Sequence, residues 1–347
     1  MKRQQEIGFA DLAVSKRKVK EEFFTHINKI VDWKPVEKLI TRYYQKGVSV
    51  SGRPSYEGIV LFKMTLLQTW YGLSDYEVEE QVNDRISFSR FVGISMDGSV
   101  PDNSVISRFR TIMTKAKAYD KLLDLINKQL ENQQILVRTG VIVDASITDT
   151  PRKPRGKKEY EVVEDRNEES TQPTTELQEK VKPNVDKDGR WVKKAGKLRF
   201  GFKQHTAVDP NGLVLGLITT SANESDIKHL EDVLTRVAPA QGTWVKADKG
   251  YKSEENDTVL KKKKLKNRIM HKAYKNKPLT ERECRFNKGV SKIRYKVERT
   301  FGSMCSWFKA GNARYVGMEK MHTQHLMQAM AYNLYRSPGI VMSNCVK

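Results

Sequence analysis

The chain has 347 residues, and its 63 lysines and arginines exceed its 42 acidic residues to give a formal net charge of +21. This length suggests two domains at roughly 150 residues each. A hydrophobic fraction of 38%, with 12 Phe and 5 Trp, can form hydrophobic cores and excludes wholesale disorder. No apolar run reaches the roughly 20 residues of a membrane span, and the N-terminus lacks the apolar stretch of a secretion signal, so we expect a cytoplasmic protein without membrane contact.

Residues 1–137 have the periodicity of a helical domain. A helix is predicted after the turn signal at 52–54, and Ser74 is a suitable N-cap for a second helix that ends near Val82. Two further helices are predicted over 105–113 and 119–130, after breaks near Gly93 and at 101–104. Basic residues such as Arg108 favour a helix-turn-helix-like DNA-binding domain, and a plain helical bundle is the alternative.

From residue 138 the pattern changes to that of a mixed α/β domain. A β-branched strand begins at Gly140 and leads to Asp144, and a charged insertion or loop follows at about 151–196, where 22 of residues 152–196 are charged. The later predicted elements are a hairpin of strands 198–208 and 213–220, a helix at 225–237, a strand at 243–247, a helix at 253–263, a strand at 267–270, a long helix at 286–308 and an amphipathic helix at about 319–335. This order predicts a ribonuclease H-like catalytic domain over 138–337, with a mixed sheet flanked by helices and a tail at 338–347.

The positive charge is concentrated in one segment. Residues 261–299 contain 16 lysines and arginines but only three acids, Glu281, Glu283 and Glu298. Clustered cations along a phosphate backbone are favoured by counter-ion release, whereas scattered lysines only keep a surface soluble. The clustering therefore favours nucleic acid as the partner.

Three carboxylates stand where a catalytic site would form. Asp144 and Asp248 come at the predicted ends of strands, and Glu298 lies on the long helix with Arg294 four residues before it and Gly302 four residues after it. Three converging carboxylates repel one another unless a cation neutralises them, which favours a divalent metal such as Mg²⁺, and two such ions suit phosphoryl transfer. Taken singly, each acid is better explained as a strand-end cap or a surface salt bridge, so the prediction depends on all three together.

Weaker candidates each carry a structural alternative. His205 follows a basic strand and is either near substrate or a structural hydrogen-bonding residue. His322 and His325 form half of a metal site at most, because no third ligand lies nearby in sequence. Trp191, between basic residues, either stacks on a base or packs internally.

Short motifs that carry a family resemblance follow one another over nearly the whole chain. They are Phe9-Ala-Asp11, Gly52-Arg-Pro54, Trp70-Tyr-Gly-Leu-Ser-Asp75, Pro101-Asp-Asn-Ser104, Val143-Asp-Ala-Ser146, Asp188 to Lys194 with Phe200-Gly-Phe-Lys203, His205 and Asp209, Thr219 to Asn223 with Asp226, Ala247-Asp-Lys-Gly-Tyr251, and Arg294 with Val297-Glu-Arg-Thr-Phe-Gly302. In this order and with this spacing, the chain resembles a DDE transposase of a bacterial insertion sequence, similar to the insertion sequence 5 family. The resemblance implies that Asp144, Asp248 and Glu298 are the catalytic and metal-binding triad.

The sequence departs from this family at two positions. The family's tyrosine seven residues before the glutamate is Ser291 here, and its DNA-contacting lysine seven residues after the glutamate is Cys305. We expect Lys309 or Arg314 to contact DNA in place of that lysine. The residues predicted to contact DNA are Arg294, Lys203, Lys249, Lys292, Arg299, Lys309, Arg108 and Trp191.

The resemblance also implies cofactors and partners. We expect two Mg²⁺ ions, with Mn²⁺ as an alternative, and double-stranded DNA in the form of terminal inverted repeats and target DNA. A homodimer on DNA is implied because such enzymes bring two ends together, and the protein would be nucleoid-associated when bound. A ribonuclease H-like structure-specific nuclease and a non-catalytic transposon-derived DNA-binding protein are the alternatives.

Overall fold

The structure is a computed structural model, and it describes residues 22–45, 56–95, 97–155, 160–165, 174–179, 184–274 and 277–345. The motifs at 9–11 and 52–54 and parts of the predicted insertion lie outside these residues. Within the described ranges, no helix is both long and apolar enough to cross a bilayer.

The N-terminal region is helical, as predicted. Ser74 caps its helix through a capping box with Glu77, and Asp102 caps the next long helix by accepting from the Val105 amide at 3.0 Å. Gly93 ends a short helix in the left-handed conformation with φ 95°. The described helices of this region are α1 Glu22–Ile30, α2 Trp33–Thr41, α3 Gly58–Tyr71, α4 Asp75–Asp84, α5 Ile86–Val92, α6 Asn103–Lys115 and α7 Ala118–Asn132.

A mixed β-sheet follows, with helices between and after its strands. Its members and the elements beside it are β1 Gly140–Asp149, β2 Tyr160–Asp165, β3 Thr174–Glu179, β4 Arg190–Lys194, β5 Lys197–Val208, β6 Val214–Ser221, α8 Leu230–Val237, β7 Trp244–Ala247, α9 Glu254–Lys262, β8 Lys266–Ile269, α10 Glu281–Phe308 and α11 Met318–Cys345. The main path runs β6, β5, β1, β7, β8: the first two pairings are antiparallel, and β1 is parallel to β7, which is parallel to β8. The order of these elements along the chain, apart from strands β2 to β4, is the one predicted for a ribonuclease H-like domain.

The charged insertion contains more regular structure than its sequence indicates. Strands β2 and β3 pair antiparallel as a separate two-stranded sheet, and β4 pairs with the first half of β5 at the edge of the main sheet. The prediction of a loop at 151–196 is wrong for these strands. Backbone pairing forms them, and their high charge leaves no apolar alternation by which a strand is recognised from sequence.

One continuous hydrophobic core joins the helical region to the sheet. The indole Nε1 of Trp70 on α3 donates to the Ala331 carbonyl of α11 at 2.9 Å. The Asn127 amide on α7 donates to the Val214 and Leu215 carbonyls of β6 at 3.0 and 3.1 Å. In the described residues, the predicted boundary at residue 137 is therefore a change of secondary structure inside a shared core.

Helix α11 differs from its prediction in length and in character. It continues from Tyr335 through Pro338 to Cys345, so residues 338–345 are helical and do not form a separate tail. Every residue from Thr323 to Leu334 is buried, so this part is a central helix covered on all sides and not an amphipathic one. Polar residues at those positions give it an amphipathic sequence pattern, but Thr323, His325 and Asn333 bond to neighbouring elements.

Candidate active site

Asp144 and Asp248 lie side by side because their strands are parallel neighbours. The register pairs Val143 of β1 with Ala247 of β7, and each aspartate is the next residue along its chain. The prediction that Asp144 ends its strand is wrong, since β1 continues to Asp149. Asp144 instead lies where β1 loses its parallel partner, and the opened sheet edge gives its side chain access to a neighbouring helix.

Glu298 is brought to this edge by helix α10. Thr280 starts the helix with a capping box to Glu283. On the inner face, Val297 is fully buried, and the hydroxyl of buried Thr300 donates to the Gly212 carbonyl in the β5–β6 turn at 2.7 Å. These contacts fix the rotation of the helix, so that Glu298 lies on its outer face with 59% of its side chain exposed.

Arg294 binds all three carboxylates. Its Nη2 donates to Asp144 Oδ2 at 2.8 Å and to Glu298 Oε1 at 3.0 Å, and its Nη1 lies 3.4 Å from Asp248 Oδ1. The arginine side chain is 14% exposed, and those of Asp144 and Asp248 are 18% and 37% exposed. The three acids predicted from the sequence therefore meet at one guanidinium.

The electrostatics of this cluster are those of a cation enclosed by anions. Burial lowers the pKa of Arg294, but Asp144, then Asp248 and Glu298, outweigh that effect, and the net shift of its pKa is upward. The aspartates are also held from their own backbone: Asp144 Oδ1 accepts from the Ala145 amide at 2.8 Å and Asp248 Oδ1 from the Lys249 amide at 2.7 Å. Arg294 thus stays charged and neutralises part of the triad.

The donor set suits a hard divalent cation. All three side chains offer carboxylate oxygens, which Mg²⁺ and Mn²⁺ prefer, and they already gather on a positive group. In the residues that the structure describes, no three His, Cys, Asp or Glu side chains stand close enough to hold one ion by themselves. The Arg294 guanidinium lies between the three carboxylates and keeps them apart. It supplies the positive charge that offsets their mutual repulsion.

Comparison with known proteins identifies the family. The profile described as "Transposase DDE domain" matches residues 136–334, which is more than half of the chain and includes all three acids. The chain belongs to the DDE transposase family. A second profile, "Transposase domain (DUF772)", matches residues 13–111, within the helical region.

One relative of this transposase is the transposase for insertion sequence element IS1106 of Neisseria meningitidis serogroup B. It is 37% identical over 232 residues, which cover 66% of this chain and 76% of the relative. The transposase is therefore an enzyme of DNA cleavage and strand transfer, and enzymes of its family generally use divalent metal ions.

Two solved structures are more distant. The piggyBac transposase synaptic complex with hairpin DNA has 10% identity and a TM-score of 0.45, with 93% of this chain and 76% of that chain covered. The Mos1 transposase paired-end complex with left transposon end has 11% identity and a TM-score of 0.21, with coverages of 97% and 93%.

Most residues predicted to contact DNA are exposed in the transposase. This group comprises Lys249, Lys292, Arg299, Lys309, Arg108 and Trp191. Lys203 does not fit the prediction, because it is 8% exposed and its Nζ binds Asp226 Oδ1 at 2.8 Å and the Glu224 carbonyl at 2.5 Å. The 39% exposed indole of Trp191 packs on Phe200 with ring centroids 5.1 Å apart, so one face has a structural partner.

Helix α10 carries a basic stripe, of which only Lys292 and Arg299 were predicted as DNA contacts. Every member is exposed, and they follow one another at intervals of three and four residues: Arg285, Lys288, Lys292, Tyr295 and Arg299. This spacing was visible in the sequence, but it became meaningful only when the helix bounds were known. The stripe, about 21 Å long at 1.5 Å per residue, ends beside Glu298.

The predicted histidine candidates are structural. Buried His325 hydrogen-bonds Thr148 Oγ1 through Nε2 at 3.0 Å and Thr219 Oγ1 through Nδ1 at 2.8 Å, and burial lowers its pKa to about 3. His322 lies 3.3 Å from an Asp120 oxygen. His205 is also buried, with a pKa lowered to about 3 by burial and by His229. The lowered pKa values keep His205 and His325 neutral at physiological pH. All three rings lie on β-strands or in contact with them, not on the triad.

Proposed function

We propose that Asp144, Asp248 and Glu298 are the catalytic carboxylates of this transposase and that they hold two Mg²⁺ ions, with Mn²⁺ as a substitute. The convergence of three acids from two strands and one helix on Arg294 carries this proposal. The reaction is hydrolysis of a phosphodiester at each end of the element, followed by attack of the freed 3′ hydroxyl on target DNA.

Each carboxylate contributes according to its setting. Asp144 and Asp248 are fixed by sheet register and by bonds to neighbouring backbone amides, so their oxygens are pre-organised. Glu298 is the most exposed of the three, and it reaches the site from the helix that carries the basic stripe. Divalent ions bound there supply the charge that activates a water or hydroxyl nucleophile and that stabilises the leaving oxygen.

The basic stripe gives the DNA a path to the triad. Its four cations lie on one exposed helix face that ends next to Glu298, and Arg299 lies over the Tyr295 ring at 6.0 Å, which holds both side chains near the helix surface. A length of about 21 Å corresponds to the axial rise of about six base pairs, at 3.4 Å for each base pair. We therefore assign the stripe, with Arg294, Lys249, Lys309, Arg108 and Trp191, to contacts with terminal or target DNA by a homodimer.

Removing part of the stripe is expected to reduce the salt dependence of DNA binding. Lys288→Gln combined with Lys292→Gln should make the negative slope of log K against log salt shallower by about 2, since each lost phosphate contact removes about 0.9 from its magnitude. Fluorescence anisotropy at several salt concentrations measures this slope. The matched control, Lys38→Gln with Lys128→Gln on α2 and α7, removes the same charge elsewhere and should change the slope far less. Equal slopes for the two pairs would contradict the assignment.

A strand-transfer assay with pre-nicked element ends tests the function itself. The transposase should join the exposed 3′ hydroxyl to a supercoiled target plasmid when Mg²⁺ is present, and chelation should stop the reaction. A structure-specific nuclease would cut the intact end but leave no joined product. A non-catalytic DNA-binding protein would give neither product, and either of these results would overturn the proposal.

A further inference from the structure

A single guanidinium uses one oxygen from each acid of the triad. These are Asp144 Oδ2, Asp248 Oδ1 and Glu298 Oε1, at 2.8, 3.4 and 3.0 Å from the two terminal nitrogens of Arg294. Its remaining nitrogen, Nε, is buried and has no hydrogen-bond partner within the described part of the chain. The acids thus provide the binding energy that keeps this largely buried arginine in place.

A divalent ion and a guanidinium compete for the same lone pairs. Three carboxylates carry three negative charges, and Arg294 offsets one of them while also occupying the oxygens that face the centre of the cluster. Full coordination of ions by the triad therefore requires the guanidinium to move. Another anion must then accept it, because an arginine left buried without a partner is strongly unfavourable.

We propose that Arg294 is a positioning residue that links ion binding to DNA binding. It holds the three acids together until a DNA phosphate takes the guanidinium, and the released oxygens then bind ions. This inference rests on the proposed function of the triad. DNA phosphate is the fitting acceptor, since arginine binds phosphate oxygens bidentately and the basic stripe delivers a strand to this position.

The open side of the cluster gives the guanidinium a direction in which to move. Glu298 is 59% exposed and Asp248 is 37% exposed, whereas Asp144 at the back is only 18% exposed. Rotation about the arginine side-chain bonds toward Glu298 brings the guanidinium to the helix surface without moving the backbone of α10. Because linkage is reciprocal, DNA should strengthen ion binding by the same factor by which ions strengthen DNA binding.

Titration of Mn²⁺ by electron paramagnetic resonance, with and without a duplex that carries one element end, tests this coupling. For the wild-type protein we expect saturating duplex to tighten Mn²⁺ binding by about tenfold, within the usual range of coupling factors. Arg294→Gln should tighten Mn²⁺ binding by about tenfold without DNA and reduce the coupling factor to about one. Arg294→Lys, which keeps the charge but not the forked geometry, should give intermediate values.

Controls separate this inference from the function of the triad. Arg299→Gln removes a positive charge next to Glu298 without removing a bond to the acids, and it should leave Mn²⁺ affinity in the absence of DNA within about twofold. Asp144→Asn should weaken Mn²⁺ binding in both the wild-type and the Arg294→Gln backgrounds. Unchanged Mn²⁺ binding in Asp144→Asn would overturn the proposed function. If Asp144→Asn weakens Mn²⁺ binding but Arg294→Gln binds it no more tightly than wild type without DNA, only the role of Arg294 fails.

Discussion

Asp144→Asn, Asp248→Asn and Glu298→Gln each lower DNA cleavage and strand transfer by at least roughly a thousandfold, while DNA affinity stays within about threefold of wild type. The amides keep the shape of the acids but lose the charge that binds cations. The loss in activity reflects several kcal/mol of transition-state stabilisation. Binding persists because the cations of the basic stripe, which make the phosphate contacts, are untouched. Gel assays of nicked and joined products, beside anisotropy measurements of affinity, give both quantities.

Asp149→Asn is the matched control for these substitutions. Asp149 lies on the same strand as Asp144 and also pairs with an arginine, since Arg199 Nη2 is 2.8 Å from its Oδ2. A partly exposed pair of this kind contributes about 1 kcal/mol or less, so Asp149→Asn should fold and retain activity within about threefold. Cleavage that survives in Asp144→Asn, or an equal loss in Asp149→Asn, would remove the triad from the mechanism.

Apart from the edge strand β4, the chain order of the main-sheet strands and helices could be predicted from the sequence because each depends on local patterns. The hairpin turn at 209–212 and the stop signal at Gly93 are chemical constraints that act within a few residues. The three acids could be located because two follow β-branched strands and one lies on a basic helix. Their convergence was an expectation from charge and from family resemblance, and the register of β1 with β7 explains how two of them become neighbours.

Long-range relationships could not be predicted in this way. Arg294 lies 150 residues from Asp144 in sequence, and nothing in the spacing of the chain shows that one guanidinium reaches three acids. Lys203, which lies in one of the motifs that carry the family resemblance, was predicted to contact DNA, but its strand lies inside the sheet and Asp226 neutralises it. The polar residues of α11 gave it an amphipathic pattern, and only the packing of both regions around that helix reveals it as a central one.

Asn333→Leu is expected to lower the free energy of unfolding by about 3 kcal/mol. The buried Val214 amide and Asn127 Oδ1 lose their partner, at a cost of about 1–3 kcal/mol each. Asn333 is fully buried on α11, and its Oδ1 accepts from the Val214 amide of β6 at 2.8 Å. Its Nδ2 donates to Asn127 Oδ1 on α7 and to the Val214 carbonyl, both at 2.8 Å. Leucine has a similar shape, so the loss measures hydrogen bonding more than packing.

Ser337→Ala on the same helix is the control for this substitution. Ser337 is equally buried, but its hydroxyl donates only within the helix, to the Asn333 carbonyl at 2.7 Å, so its loss should cost about 1 kcal/mol or less. Urea unfolding, followed by tryptophan fluorescence and by circular dichroism, compares the variants. Because Asn333 joins the helical region to the sheet, both signals should shift together in Asn333→Leu. Separate transitions for the two signals would mean that the regions unfold independently and that the shared core does not couple them.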